Sequence, residues 1–183
     1  FAAVLDDLDN PKPLKDLPKF LAYIISDSFR GEPYALSMHP HIFRKIAEAR
    51  KNKTYYDEAE HAYYLRIEDL PEIFRNFLTK NSVPQNPKTG SISMNLAGKN
   101  VAMFDMPFLK EKIVDWQNVY FKHRVVDPAI LYYEKGDLEL PDSKKCMERA
   151  GITGEVAHTA LEDALTVVQL IRYKLLNQTV ADV

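Results

Sequence analysis

The chain has 183 residues, 46% of them hydrophobic and 27% charged, with 24 basic residues against 26 acidic ones and a formal net charge of −2. This excludes a disordered chain, suits one domain with a sizeable core, and excludes a bulk electrostatic nucleic-acid binder. The single cysteine, Cys146, excludes an internal disulfide and favours a reducing, cytoplasmic setting, and no apolar run approaches the ~20 residues of a membrane span.

Phe1-Ala2-Ala3-Val4-Leu5 is a continuous apolar run, as in a buried strand. It opens with no methionine, polar lead-in or turn, so a further piece is expected upstream. Asp6 to Pro13 reads as a turn, and Phe20–Ile25 as a second strand. Gly31-Glu32-Pro33 is a turn, and His41 to Ala49 has helical spacing. Residues 51–66 are rich in charge and in tyrosine (Tyr55, Tyr56, Tyr63, Tyr64) and read as a solvated insertion, with base stacking as the alternative. Asp69 to Lys80 is a helix with Pro71 in its first turn.

Asn81 to Gly90 is loop by composition but not a domain boundary, since neither side has strands enough to close its own sheet. Ile92–Leu96 is a third strand, ended by Ala97-Gly98. Phe104 to Ile113 is a short helix, His123–Asp127 a fourth strand, and Pro128 opens a helix to about Tyr133. Asp142 caps Ser143–Ala150, which Gly151 ends. Thr159 to about Leu176 is the longest helix, with a core stripe of Ala160, Ala164, Val167, Val168, Ile171 and Leu175. The order of strands and helices predicts an α/β domain.

Two segments carry candidate chemistry. Thr159-Ala160-Leu161-Glu162 fits a capping box, which sets His158 just before the cap and Asp163 at the fourth helical position. An imidazole and a carboxylate then stand side by side at the positive end of a helix dipole. Asp163 adjoins the core stripe and is expected to be partly buried, which calls for a partner or a metal. The plain alternative is a His158–Asp163 pair that only starts the helix. The other segment is Gly98 to Leu109, where Asp105 lies between Phe104 and Phe108 as a strand gives way to a helix. Sites in α/β sheets gather at such carboxyl ends. Its plain alternative is an ordinary N-cap.

Taken together, G-x-N-x-x-x-F-D-x-x-F-L and, 58 residues after its aspartate, H-x-A-x-x-D-A resemble the second and third motifs of the DEDD 3′-5′ exonucleases of the histidine branch. That superfamily includes polymerase proofreading exonucleases and ribonuclease T. The resemblance implies a ribonuclease H-like fold: a mixed sheet flanked by helices in one exonuclease-like domain over residues 1–183. Phe1–Asp7 is similar to the family's second strand, Phe20–Met38 to its third strand and turn, and Arg124–Pro128 to its fifth. The family's first motif, a strand ending in Asp-x-Glu, has no secure match. The nearest string is Asp7-Leu8-Asp9, and the preferred reading puts the motif upstream of Phe1, with the domain truncated there.

The resemblance further implies two divalent cations, Mg²⁺ or Mn²⁺. Asp163 and Asp105 are implied as metal ligands, His158 as the general base on the attacking water, and Asn100 and Phe104 as substrate-binding residues. The implied substrate is a single-stranded DNA or RNA 3′ end, cleaved to nucleoside 5′-monophosphates. A homodimer or a polymerase partner is left open. The alternative is a catalytically inactive member of the same fold acting as a nucleic-acid-binding or interaction module, expected if the upstream Asp-x-Glu is lacking.

Overall fold

The structure is a computed structural model that describes residues 1–29, 32–153 and 159–176. Its strands are β1 (Ala2–Val4), β2 (Lys19–Ile24), β3 (Tyr56–Asp57), β4 (Ala62–Leu65), β5 (Ile92–Ala97) and β6 (Val119–Val126). Its α-helices are α1 (Pro33–Ser37), α2 (Pro40–Asn52), α3 (Leu70–Lys80), α4 (Asp105–Lys112), α5 (Pro128–Leu131), α6 (Ser143–Ala150) and α7 (Ala160–Leu176). The α/β class expected from the order of elements is therefore present.

The strands form two sheets. The larger is mixed, in the order β1-β2-β4-β3. β1 runs antiparallel to β2 with Ala3 opposite Phe20, β2 parallel to β4 with Leu21 opposite Ala62, and β3 antiparallel to β4. β5 and β6 form a second, parallel sheet with Ile92 opposite Val119 and a register shift between Met94 and Leu96.

One core joins the two sheets. Alternation along β1 and β2 sends Phe1, Ala3, Leu5, Phe20, Ala22 and Ile24 to one face, where they meet Leu70, Phe74 and Leu78 of α3 and Ile92 and Val119 of the second sheet. α7 packs on β1 and β2, and α5 and α6 pack on α7 through Tyr132, Cys146, Met147 and Leu170. Among the described residues β1 has one ladder partner, β2, and β5 pairs along its length with β6 alone. Phe1 and Leu5 bond toward β2 through Phe1 N to Ala22 O, Ala22 N to Phe1 O and Leu5 N to Pro18 O. Alternation then turns the peptide groups of Ala2 and Val4 to the open edge.

Three expectations need correction. The solvated insertion expected over residues 51–66 holds only in part: 51–61 are mostly exposed, but β3 and β4 lie in this segment, and Ala62, Tyr64 and Leu65 are buried. Tyr23 of β2 stacks on Tyr64 at 5.1 Å, so Tyr64 serves the sheet, while Tyr55, 75% exposed, faces water. The fourth expected strand begins earlier, at Val119, because the alternation of a half-exposed strand is hidden by Lys122, His123 and Arg124. In α7, Val168 and Ile171 of the expected stripe are buried, but Ala160 and Leu175 are exposed, and Leu170 and Arg172 are buried beside the stripe. Arg172, 1% exposed, clasps Asp6 through Nε and Nη2 and the Lys12 carbonyl through Nη1, so its charge is matched inside the fold.

Candidate functional site

The connection from β5 to α4 carries three of the predicted residues, Asn100, Phe104 and Asp105. β5 ends at Ala97, and Gly98 N continues its ladder by donating to Val126 O at 3.0 Å. The chain then turns sharply at Asn100, whose φ is 54°. Asparagine tolerates that left-handed conformation better than most residues. The Asn100 carbonyl accepts the amides of Met103 (3.2 Å) and Phe104 (3.0 Å), and the Val101 carbonyl accepts that of Met106 (2.9 Å). The loop is thus wound on itself before α4 starts.

Asp105 is the first residue of α4, and Phe104 holds the cap position without a side-chain cap bond. The ordinary N-cap reading of Asp105 therefore does not hold. Its side chain stands at the positive end of the α4 dipole. The residue is exposed, yet its carboxyl is withdrawn far enough from water to raise its pKa. Its own amide pulls the other way. Asp105 lies near the Phe1 end of β1.

Met103 (80% exposed), Phe104 (73%) and Phe108 (59%) surround Asp105 in sequence and present apolar surface to solvent. Sidewalls of this kind suit the faces of unpaired bases.

Asp163 lies in the first turn of α7. One half of the capping box is present, Glu162 N donating to Thr159 Oγ1 at 3.3 Å, and that hydroxyl in turn donates to the Glu162 carboxylate. Asp163 N donates to the Thr159 carbonyl at 2.9 Å. The expected partial burial of Asp163 is not found. The residue is exposed, like Ala160 and Glu162, because the first turn of α7 projects past the core and burial begins at Val168. His158, the predicted base, lies outside the described residues.

Among the described residues no group of three or more His, Cys, Asp or Glu side chains is placed to hold a metal ion. Asp105 and Asp163 both offer hard oxygen donors of the kind Mg²⁺ takes. A pair of cations about 4 Å apart needs more carboxylate than these two supply. The described donor set therefore does not fit a two-metal centre by itself.

One residue of this region was missed from sequence. Asp127, at the end of β6, accepts Ala129 N through Oδ1 and Asn100 N through Oδ2, each at 2.8 Å. Asp-Pro after a strand signals the first bond, and nothing local signals the second.

An apolar cavity of about 290 Å³, lined by Phe29, Phe43, Ile46, Ala47 and Arg50, contains none of the predicted site residues. No helix among the described residues is long and apolar enough to cross a membrane. Comparison with protein-family models, with curated proteins and with solved structures finds no match for this chain.

Proposed function

We propose that this chain carries the fold of a 3′-5′ exonuclease that uses divalent cations and acts on single-stranded DNA or RNA ends to release nucleoside 5′-monophosphates. The observation that carries the reading is Asp105: a partly desolvated carboxylate on the first residue of α4, in the connection that leaves the carboxyl end of β5, among exposed Met103, Phe104 and Phe108. Phosphate chemistry needs the carboxylate, and a splayed terminal base needs the apolar faces.

In this reading α7 runs alongside β1. The Arg172–Asp6 pair fixes one end. Nine residues of helix rise about 13.5 Å and five residues of strand about 16 Å, which brings Asp163 to the Phe1 end, where Asp105 already lies. His158 then precedes Asp163 as the proton acceptor for the attacking water. A two-cation site on this reading needs more carboxylate than Asp105 and Asp163 supply, and the edges of β1 and β5 that are open among the described residues are where a strand bearing it would pair. The shared core of the two sheets supports that placement.

The test uses the full-length gene product, with Mn²⁺ affinity by calorimetry beside single-turnover cleavage of a 5′-labelled single strand. Asp105→Asn and Asp163→Asn should weaken Mn²⁺ binding and cleavage together. His158→Ala should leave Mn²⁺ binding intact and slow cleavage by about 10²–10⁴-fold. Cleavage by His158→Ala at the wild-type rate defeats the base assignment, and Mn²⁺ binding unchanged in both Asp variants defeats the site. The donor-poor set of described residues favours a second reading, an inactive binding module, which predicts strand binding with no cleavage at any Mn²⁺ concentration.

A further inference from the structure

We infer that Asp127 is a positioning residue, whose single carboxylate ties the loop bearing Asn100, Phe104 and Asp105 to the end of β6 and so fixes where that loop stands. The ladder between β5 and β6 gives out at this point. Ala97 is the last registered partner of Val126, and Gly98 N to Val126 O is the final main-chain rung. Beyond it the chain of residues 99–104 bonds to itself through the Asn100 and Val101 carbonyls. The bond from Asn100 N to Asp127 Oδ2 is the one that, among the described residues, crosses from this loop to the neighbouring strand end.

The geometry goes beyond what a helix start requires. α5 is a single turn, Pro128–Leu131, and Asp127 caps it with Oδ1 alone. Oδ2 is left for the Asn100 amide, 27 residues away in sequence. Both bonds have an ionised acceptor, the stronger kind of hydrogen bond. The bond also falls on the residue that most needs holding, since Asn100 sits at φ 54°, a conformation that persists where its surroundings enforce it. Asn100 in turn accepts the amide of Phe104, the residue next to Asp105. Asp127 therefore acts two hydrogen bonds away from the candidate ligand, on the course of the chain that presents it.

The functional part of this inference rests on reading Asp105 as part of the site, and the structural part does not. Two substitutions separate them. Asp127→Ser keeps a good N-cap for α5 but is too short to reach Asn100. Asp127→Asn keeps one acceptor oxygen and turns a donor toward one of the two amides. In hydrogen exchange on the full-length protein, Asp127→Ser should leave Ala129 protected and speed exchange at Asn100, Phe104 and Met106 by about tenfold or more, with Asp127→Asn in between. Loop amides that exchange at the wild-type rate in both variants overturn the inference.

In the cleavage assay Asp127→Ser should lower kcat by up to about 10²-fold with KM little changed, and Asp127→Asn should restore part of it. An unchanged kcat despite a loosened loop overturns the functional part. A wild-type protein that cleaves nothing refutes the exonuclease reading instead, and the exchange result still decides the role of Asp127.

Discussion

Arg149 shows how one side chain closes a stretch that has no regular structure. It donates to the Asp137 carboxylate in a forked pair, Nη1 to Oδ2 at 2.6 Å and Nη2 to Oδ1 at 2.7 Å, and to the Tyr132 carbonyl at 2.6 Å. Glu134 N donates to the same Asp137 carboxylate at 3.0 Å. The guanidinium, followed by that amide, holds the Asp137 carboxyl well below the usual carboxylate range. The sign follows from proton counting. The folded state binds fewer protons here than the unfolded state, so the pair stabilises the fold above the ordinary pKa of 3.8 and loses that contribution as pH falls below it. Asp137→Asn should therefore lower the urea midpoint by a constant amount from pH 5 to 8, with the gap to wild type closing below about pH 4. A gap that persists undiminished into that acid range would show that packing, and not the charge, holds this turn.

At the scale of elements the β5–α4 connection is the most constrained. A Cβ on Gly98 would stand 3.0 Å from Val101 Cβ and 3.2 Å from its Cγ1. Valine is stiff at χ1 and cannot swing its methyl groups clear, so the loop itself must move. Gly98→Ala should cost about 1–3 kcal/mol, the range for overpacking. Adding Val101→Ala should recover much of it, and a double-mutant cycle in urea measures the coupling. Additive effects would mean that the two residues do not press on one another.

This connection also shows what was readable in the sequence. Its strand, tight turn and helix follow from periodicity and from Gly98, and so does the placing of Asp105 where the helix after that strand begins. α3, with Pro71 early and an apolar face, and α6, with Asp142 and Gly151 at its ends, were legible for the same local reasons. β3 and β4 were not, because their strand-forming tyrosines lie among charges that local reading assigns to solvent. The bonds from Asn100 to Asp127 and from Arg172 to Asp6 span 27 and 166 residues, and no local pattern encodes them. The exposure of Asp163 was misjudged for a related reason: adjacency to an apolar stripe says nothing about where along the helix the core ends.

For the whole molecule the question is whether two sheets with no ladder between them among the described residues behave as one unit. The apolar core answers through α3. Phe74, 2% exposed, sets its ring edge-on to Phe20 at 5.2 Å and to Phe1 at 5.5 Å in the first sheet's half of the core. The same ring meets Trp116 at 6.2 Å and Phe121 at 6.4 Å, beside and within β6. One side chain thus touches both halves, and aromatic pairs in these arrangements add about 0.5–1.5 kcal/mol each beyond area burial. Phe74→Ala should cost about 3–5 kcal/mol, a large part of the roughly 5–15 kcal/mol by which domains are stable. The loss should be shared. In urea the wild type should unfold in one transition, and the variant in one transition at lower concentration. Amide exchange should rise together in β2 and β5, since both lean on the same ring through Phe20, Ile92 and their neighbours. Phe77→Ala makes the control, because its ring meets Phe20 at 5.3 Å and Phe74 at 6.0 Å, on the first-sheet side. It should cost less and act mainly on β2. A Phe74→Ala protein that unfolds in two steps, with β5 and β6 keeping wild-type protection, would mean that the sheets are separate folding units and that the core between them is contact without cooperation.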